Sequence, residues 1–350
     1  MEKLGVGIIG FGRVGHGHVR AAQNVPEVRL VAIAEVDEQR RRLAAEIGCC
    51  ETVADYRALL DRPDVHIVMI GLPHWLHARV ALDAAQAGKH IFVEKPMAME
   101  VAECDRMIEA ARRHNVKLMV GHSQHYNPYN RLAKQLIDGG ELGELVYMTL
   151  HWTKPLGLES RPAWGMDRSK GGGMLQMNGA HMIDVMRWFA GQPIVAVKGR
   201  AGNFIFGDKV KADDSFIALL QFANGLQATI QHAAYLNGVE HYQHDVVGTR
   251  AMLKVASYPP QQGCWISHKG AWVPLEPPRQ QRVGMAGELS DLVQSIVSGS
   301  EPPITGEYGR EIVAAMSAIE ESTRTGAEIQ LGAVAAGAGS RVPGASHGLV

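Results

Sequence analysis

The sequence predicts an α/β domain built on a parallel sheet, followed by an α+β domain with an open, mainly antiparallel sheet. Up to about residue 121, apolar runs typical of buried strands alternate with amphipathic helical patterns, which favours a parallel sheet. Beyond residue 144, strand-like runs follow one another across short turns, which favours antiparallel pairing. We therefore expect domains at 1–122 and 123–331, followed by a flexible tail at 332–350 that is rich in Gly, Ala and Ser.

The predicted elements of the first domain alternate in type. Strands are short apolar runs, and helices carry apolar residues at three- and four-residue spacing. Their predicted order is strand 4–9, helix 13–24, strand 28–34, a helix after Asp37, strand 66–70, helix 76–87, strand 90–93, helix 101–114 and strand 117–120.

The predicted second domain is mostly sheet. Its elements are strand 144–152, a polar loop through residue 170, helix 174–190, strands 194–201, 215–222, 226–234, 242–248, 251–256 and 264–268, and helices 286–298 and 309–325. The Asn224-Gly225 pair is typical of a hairpin turn, and the C-terminal helix is expected to return between the domains. Both faces of strand 215–222 are apolar, so we expect one face to contact another subunit in a homodimer or homotetramer.

The first helix is preceded by a glycine motif, Gly10-Phe11-Gly12-Arg13-Val14-Gly15, directly after a strand-like run. Gly10 permits a tight turn, Gly12 lets a pyrophosphate approach the backbone, and Gly15 lets the helix pack against the strand. The helix N-terminus offers free N–H groups and a partial positive charge to that phosphate. The glycines alone are also compatible with an ordinary tight turn, but the strand before them and the helix after them are the context of a dinucleotide-binding site.

Glu35 stands at the end of the second predicted strand, about 20 residues beyond the glycine motif. A carboxylate at this place accepts hydrogen bonds from the adenosine ribose hydroxyls and repels a 2′-phosphate. The sequence therefore favours NAD as the cofactor. Arg40, Arg41 and Arg42 follow closely and leave NADP open, although the solvated face of a helix explains them more simply.

Composition narrows the partners and the compartment. The formal net charge is −1, which argues against nucleic acid and anionic membranes as partners. No apolar stretch reaches the roughly 18 residues of a membrane span, and the first strand begins too early to leave room for a signal peptide. The four cysteines form no C-x-x-C pair and the 16 histidines no metal-ligand cluster. We therefore expect a cytoplasmic protein without a metal site.

A charged tripeptide, Glu94-Lys95-Pro96, directly follows the strand predicted at 90–93. In a doubly wound sheet, ligands bind at the carboxyl ends of the strands, so Lys95 is expected beside the nicotinamide. Partial desolvation next to a positively charged ring lowers the pKa of a lysine. Lys95 is therefore a candidate proton acceptor or donor for a substrate hydroxyl, and the alternative is a surface lysine after a strand.

These motifs together resemble the glucose–fructose oxidoreductase/inositol dehydrogenase (Gfo/Idh/MocA) family, in order and spacing over about residues 4–330. The matching stretches are the glycine motif, Glu35, Leu72-Pro73-His74-Trp75-Leu76-His77, Glu94-Lys95-Pro96, Val120-Gly121-His122, and Gly171-Gly172-Gly173 leading to His181-Met182-Ile183-Asp184. The resemblance implies an N-terminal Rossmann domain, a C-terminal domain on an open sheet, and hydride transfer between NAD(P) and a hydroxyl-bearing carbon. It also implies that Lys95 and His181 are the catalytic pair.

The resemblance also extends the expected cofactor contacts. Besides the glycine motif and Glu35, they are expected at Leu72, Pro73, His77, Glu94, Lys95 and His122. Asp184 lies three residues after His181 and so shares a helix face with it. Asp184 is expected to orient an imidazole or to bind a substrate hydroxyl, and the alternative is an ion pair with Arg187.

One departure from the family concerns proton transfer. Family members that act on sugars commonly carry an aspartate four residues before the catalytic histidine, and this sequence has Met177 there. Methionine neither accepts a proton nor binds a hydroxyl strongly. Proton transfer then depends on Lys95 and His181, or a replacement comes from His125, Tyr126 or Asn178.

The substrate is expected to be a sugar or cyclitol, with a cyclic dihydrodiol or its carboxylate second. The stretch 122–127 resembles family members acting on aromatic dihydrodiol carboxylates, and Trp152, Trp164 and Met177 are candidates for an apolar wall. Lys154, Arg161, Arg168 and Lys170 outnumber the acids of one loop and suit a carboxylate, although a solvated loop explains them as well. The expected substrate contacts are Lys95, Tyr126, Trp164, Asn178, His181 and Asp184.

Two further classes of function stay open from the sequence. A glycosidase or lyase of this family would oxidise its substrate only transiently and return the hydride. A non-catalytic dinucleotide sensor would explain the missing aspartate at Met177 but not the presence of Lys95 and His181.

Overall fold

Two sheets organise the chain, one with six strands and one with nine. The computed structural model describes residues 2–235, 239–259, 261–278 and 283–332. The first sheet is parallel throughout and the second is mainly antiparallel, so the predicted fold class is confirmed. The strands of the first sheet fall within 1–122 and those of the second within 123–331, and the division into domains stays a prediction. Of the predicted tail at 332–350, residues 333–350 lie outside the described residues.

The first sheet follows the predicted alternation closely. Its elements are β1 (Leu4–Ile9), α1 (Gly15–Asn24), β2 (Val28–Ala34), α2 (Glu38–Gly48), β3 (Glu51–Val53), α3 (Tyr56–Leu60), β4 (Ile67–Ile70), α4 (His77–Gln86), β5 (His90–Glu94), α5 (Val101–Arg113) and β6 (Leu118–Gly121). The strand order is β3-β2-β1-β4-β5-β6. The order reverses between β1 and β4, and the carboxyl ends of these strands form the crevice in which such sheets bind ligands.

The second half of the chain begins with α6 (Pro128–Asp138) and continues mostly as strands. The elements are β7 (Leu145–Pro155), α7 (Ala180–Ala190), β8 (Ile194–Gly202), β9 (Ser215–Phe222), β10 (Gln227–Tyr235), β11 (His241–Gly248), β12 (Met252–Ala256), β13 (Gly263–His268), β14 (Ala271–Leu275), α8 (Gly284–Ser298), α9 (Gly306–Thr325) and β15 (Ile329–Gln330). Their order is β14-β13-β12-β11-β7-β10-β9-β8-β15, and within the described part of the chain β7 and β10 are the only strands of this sheet that pair in parallel. The predicted hairpin is confirmed, because β9 and β10 are antiparallel across the Asn224-Gly225 turn.

One face of the second sheet is covered by helices and the other is open. Phe216, Ala218 and Leu220 on β9 are buried, whereas Ile217 on the opposite face is 53% exposed. Tyr147 on β7 is 47% exposed. The alternation along these strands therefore separates a packed face from an open one within this chain.

The last two helices return to the first sheet, as predicted for the C-terminal helix. Met285 of α8 packs so tightly against α1 that a Cβ on Gly17 would lie 2.4 Å from its sulfur. Just before α9, Ile304 accepts a backbone hydrogen bond from Val120 of β6 at 3.1 Å. The second half of the chain is thereby joined to the crevice of the first sheet. Among the described residues, no helix is both long and apolar enough to cross a membrane.

Candidate active site

The glycine motif forms a tight turn with an open side. Gly10 has a φ of 96°, and a Cβ there would lie 2.6 Å from the carbonyl oxygen of Gly71. A Cβ on Gly15 would lie 2.5 Å from the carbonyl oxygen of Gly10, whereas a Cβ on Gly12 would meet no atom within 4 Å. The helix α1 then begins at Gly15 without a side-chain cap. The backbone is thus bare where a pyrophosphate would approach the helix N-terminus.

Glu35 is held in place by the glycine motif itself. One carboxylate oxygen accepts a hydrogen bond from the Phe11 backbone N–H at 2.8 Å, and the other accepts one from the Asp37 N–H at 2.9 Å. The guanidinium of Arg41 donates to the carbonyl oxygens of Glu35 and Val36, both at 2.8 Å. These residues fit the adenosine ribose of NAD, because the acid is pre-positioned at the end of β2.

The loop after β4 carries three predicted cofactor contacts. Leu72 and Pro73 are partly exposed at the carboxyl end of that strand. His77 is fully buried, with Nδ1 2.9 Å from the Pro96 carbonyl oxygen and Nε2 2.8 Å from the Leu72 carbonyl oxygen. The predicted cofactor contact of His77 stays a prediction. Because both ring nitrogens face backbone carbonyls, His77 ties two loops of the crevice together.

Lys95 reaches across from the first sheet to the second half of the chain. Its Nζ donates a hydrogen bond to the backbone carbonyl oxygen of Met177 at 2.7 Å. Burial lowers the pKa of Lys95 to about 8, with smaller effects in the same direction from Lys154 and Arg161 and an opposing one from Glu94. A main-chain oxygen of residue 177 thus contacts the lysine at the position where a family aspartate was expected.

The carbonyl of Met177 is presented by a π-helical turn, Leu175–Gly179, which precedes α7. The sequence predicted one regular helix over 174–190, so this turn is a correction. Such turns widen the backbone spacing from i+4 to i+5 and often occur at functional sites.

His181 lies one helical turn beyond Met177, at the start of α7. Its Nδ1 is buried without a hydrogen-bond partner among the described residues. Burial lowers the pKa of His181 well below its usual value, and the charge of Lys95 adds to this effect. The structure therefore brings the imidazole close to Lys95 and keeps it neutral near pH 7.

Glu94, predicted as a cofactor contact, faces α1. Its carboxylate lies 3.1 Å from Nε2 of His18, and the residue is 9% exposed. Although burial opposes ionisation, His18 and Lys95 hold the pKa of Glu94 below its usual value. Glu94 therefore places a negative charge beside Lys95.

Asp184 is the buried centre of a hydrogen-bond network, called the hub below, and does not line the crevice. It is fully buried and accepts hydrogen bonds from His125 Nε2 at 2.7 Å and from the Tyr308 hydroxyl at 2.8 Å. Its other oxygen lies 3.5 Å from Nδ1 of His122. The carboxylate has no exposed surface and lies against two histidines, which favours the expected role of orienting an imidazole over the expected substrate contact, and both stay predictions. The predicted alternative, an ion pair with Arg187, is wrong, because the Arg187 guanidinium pairs with Glu311.

Arg187 pairs with a different carboxylate, and His122 makes no hydrogen bond to Asp184. Arg187 Nε donates to Glu311 at 2.7 Å. His122 is 1% exposed, and neither ring nitrogen has a hydrogen-bond partner among the described residues. His122 also contributes to lowering the pKa of His181, so it lies near the reacting groups. Its cofactor contact stays a prediction.

Two other predicted substrate contacts are engaged elsewhere. The Tyr126 hydroxyl donates to Asp291 at 2.7 Å, and the residue is 2% exposed. The Asn178 amide nitrogen lies 2.7 Å from Nε2 of His232, and the residue is 6% exposed. Each polar group is buried against another side chain, which argues against a substrate contact, and both contacts stay predictions.

Trp164 is the predicted substrate contact that stays at an accessible edge. Its ring is partly exposed and lies 4.9 Å from His74 and 5.9 Å from Trp75, centroid to centroid. His74 Nδ1 in turn lies 2.6 Å from the Gly171 carbonyl oxygen. A Cβ on Gly171 would lie 2.7 Å from the Cβ of His74, so glycine is required for this approach between the two halves.

Sequence reasoning missed His18 and Tyr308, which the structure places around the site, and gave no role to His74, although His74 lies in a stretch that matched the family. Spacing gave no signal for their contacts, because their partners lie far away along the chain. Glu288 on α8 was missed for the same reason. It is a fully buried carboxyl with no hydrogen-bond partner among the described residues for either oxygen. Burial raises the pKa of Glu288 well above its usual value, and Glu94 adds to the shift.

Glu288→Gln is expected to raise the free energy of unfolding by about 1 to 3 kcal/mol at pH 8 and by much less at pH 4. A carboxyl whose folded pKa lies above the unfolded value of 4.5 stabilises the protein at low pH and loses this contribution as pH rises. Glutamine has the same shape and does not ionise. Urea denaturation at pH 4, 6 and 8 measures the difference. Glu141→Gln, at an exposed site, is the matched control, and a difference that did not grow with pH would contradict the assignment.

The fold and the site together define a two-domain, dinucleotide-binding oxidoreductase. Residues 4–122 match the model of the oxidoreductase family with an NAD-binding Rossmann fold, and residues 130–254 match the C-terminal domain model of the same family. The chain therefore belongs to the Gfo/Idh/MocA oxidoreductase family, as its motifs predicted.

Known relatives of this chain include two curated dehydrogenases. A 1-carboxy-3-chloro-3,4-dihydroxycyclohexa-1,5-diene dehydrogenase of Comamonas testosteroni is 32% identical over 244 residues, which are 69% of this chain and 60% of that protein. The scyllo-inositol 2-dehydrogenase (NAD(+)) of Bacillus subtilis is 27% identical over 93% of this chain and 95% of its own length. Among solved structures, an aldose-aldose oxidoreductase from Caulobacter crescentus complexed with glycerol is 26% identical. It superposes with a TM-score of 0.86 over 94% of this chain and all of that one.

Proposed function

We propose that this protein is an NAD-dependent dehydrogenase that takes a hydride from a hydroxyl-bearing carbon of a sugar, cyclitol or related cyclic alcohol. The observation that carries the proposal is the position of Lys95, which bonds to the Met177 carbonyl beside His181 at the carboxyl end of β5. Relatives named for inositol, aldose and dihydroxycyclohexadiene chemistry support the same class of reaction.

The residues of this chain divide the work between binding and proton transfer. NAD supplies the hydride acceptor when it is bound, and the glycine motif and Glu35 are the residues that would hold it. With a pKa of about 8, a fraction of Lys95 is neutral near pH 7 and accepts the hydroxyl proton at Nζ. One N–H of the amine stays on the Met177 carbonyl, which leaves the lone pair free for the substrate. His181, neutral as well, provides a second acceptor.

The direct test is formation of NADH from a defined panel of alcohols. The purified protein is incubated with NAD or NADP and inositols, aldoses or aromatic dihydrodiols, and the absorbance of the reduced nicotinamide is followed. We expect net NADH formation with at least one cyclic alcohol and a preference for NAD. Substrate loss without net NADH would point instead to transient oxidation. Absence of both NADH formation and NAD binding would overturn the proposal.

Glu35→Ala is expected to raise the KM for NAD by about tenfold to hundredfold and to reduce the preference for NAD over NADP. The variant loses charge-assisted hydrogen bonds to the ribose hydroxyls and the repulsion of a 2′-phosphate. Steady-state kinetics with both cofactors measures the change. Glu35→Gln keeps one acceptor for the Phe11 or Asp37 N–H, and Glu46→Gln at an exposed site is the control. An unchanged KM for NAD in both Glu35 variants would contradict this role.

We also propose that a second copy of this chain covers the open face of the second sheet, in a homodimer or homotetramer. Ile217 and Tyr147 expose apolar surface on that face, and such patches are typical of interfaces. Sedimentation equilibrium is expected to give at least twice the monomer mass, and Ile217→Lys to shift it toward the monomer. A monomeric wild type would end this proposal.

The free thiols of Cys49, Cys104 and Cys264 support a reducing compartment, and we propose the cytoplasm.

A further inference from the structure

Two cations near the crevice, Lys154 and Arg161, are weakly paired: Lys154 forms one loose ion pair, with Glu240, and Arg161 forms none among the described residues. The Lys154 side chain is 23% exposed, and its contact with Glu240 is 3.8 Å long, beyond hydrogen-bonding distance. Among the described residues, the Arg161 guanidinium makes no hydrogen bond or ion pair. Burial and then Arg13 lower the pKa of Arg161, and no acidic group opposes them.

The other two basic residues of the region, Arg168 and Lys170, have an acidic partner or are exposed to solvent. Arg168 donates through two nitrogens to the two carboxylate oxygens of Glu320, both at 2.5 Å. Lys170 is exposed. Of the four basic residues that the sequence offered as carboxylate ligands, the structure therefore leaves two near the crevice that make no hydrogen bond to a carboxylate among the described residues: Lys154, whose ion pair with Glu240 is loose, and Arg161.

Lys154 lies close to the reacting groups. It is two residues after Trp152 on β7, so both side chains face the same side of the sheet. The Lys154 Nζ lies 5.1 Å from the centroid of the Trp152 ring, and that ring lies 6.5 Å from the His181 ring. The charge of Lys154 also helps to lower the pKa values of Lys95 and His181, after burial.

Cations held together in a partly desolvated place repel one another, and a bound anion relieves this cost. A carboxylate suits a lysine and a guanidinium through charge-assisted hydrogen bonds. We propose that the physiological substrate carries a carboxylate on or beside its ring and that Lys154, supported by Arg161, binds this group. The inference rests on the proposed dehydrogenase function and narrows its substrate class from neutral cyclic alcohols to hydroxy acids.

The pyrophosphate of the cofactor is the other possible anion at this place. Arg161 lies near Arg13 of the glycine motif, since the charge of Arg13 lowers the pKa of Arg161, and so stands toward the pyrophosphate. Lys154 lies over the Trp152 ring, which is 6.5 Å from the His181 ring, and so stands toward the substrate. Lys154 is therefore the residue whose replacement separates the two sources.

The experiment compares matched pairs that differ by a carboxylate. The pairs are D-glucuronate with D-glucose, and 1,2-dihydroxycyclohexa-3,5-diene-1-carboxylate with the corresponding diol lacking the carboxylate. We expect the carboxylated member to be favoured at least about tenfold in kcat/KM. Lys154→Met is expected to reduce this ratio by about tenfold to hundredfold. Lys170→Met, which removes an exposed lysine of the same region, is expected to leave the ratio unchanged.

The outcomes distinguish a carboxylate site for the substrate from an anion site for the cofactor pyrophosphate. Equal kcat/KM values for the two members of a pair overturn the proposal. A preference ratio that Lys154→Met does not change also overturns it. A rise in the KM for NAD in Lys154→Met without a change in the ratio assigns the cation to the cofactor and also overturns it. If no member is oxidised, these four probes do not include a substrate, and the dehydrogenase function is judged from the wider panel of alcohols. The carboxylate preference is then read from dissociation constants of the four probes with the NADH-loaded protein, measured by calorimetry for the wild type and for Lys154→Met.

Discussion

Lys95→Ala is expected to lower kcat by about 10²- to 10⁴-fold while NAD still binds, because the variant removes the positioned proton acceptor and leaves the glycine motif intact. The same change should remove a pH dependence of the wild type. For alcohol oxidation, the wild-type kcat/KM is expected to rise with pH through about 8, since only the neutral amine accepts a proton and burial lowers its pKa to that value. Steady-state kinetics from pH 6 to 10 and fluorescence titration with NADH measure both effects.

Lys95→Arg is the matched variant for this prediction. A guanidinium keeps the charge and a donor for the Met177 carbonyl but does not lose its proton in this pH range. It is therefore expected to stay as inactive as the alanine variant. If NADH affinity fell in parallel with the rate in both variants, Lys95 would be a cofactor-binding residue and the proposed mechanism would be wrong.

Asp184→Ala is expected to lower the free energy of unfolding by about 3 to 5 kcal/mol. The substitution leaves the His125 imidazole buried without its carboxylate acceptor and leaves the Tyr308 hydroxyl with the backbone carbonyl of residue 184, at 3.1 Å, and both side chains lie on elements other than α7. Urea denaturation measures the loss. Tyr308→Phe, which removes one donor and keeps the carboxylate, is expected to cost only about 1 kcal/mol. A loss below about 1 kcal/mol in Asp184→Ala would show that the hub does not hold these elements together.

The parts of the site that neighbours along the chain define were predictable. The glycine motif and Glu35 follow from one strand, one turn and the next strand, and the structure places them at one edge of the first sheet. Lys95 was predictable for the same reason, because it ends a buried strand. Elements of three residues or fewer, such as β3 and β15, were not predictable, since they are too short for a period to be recognised.

The parts of the site that distant segments create were not predictable. Asp184 and Tyr308 are 124 positions apart, and Lys95 and Met177 are 82 apart. Tyr126 and Asn178 were expected at the substrate because their neighbours matched the family, yet partners 165 and 54 residues away bury their polar groups. When the partner of a polar side chain comes from another element, residue type and spacing do not predict whether that side chain faces the site or the protein interior.

The Met177 carbonyl has a consequence for how this enzyme can diverge. A main-chain oxygen is present whatever side chain occupies position 177, so mutation there cannot delete the atom that steers the lysine. Evolution is thereby free to exchange that side chain for a new substrate fit while the acid–base chemistry persists. The vulnerable feature is the backbone geometry, and we expect insertions or helix-straightening changes between 174 and 180 to be tolerated far less than point substitutions at 177 itself.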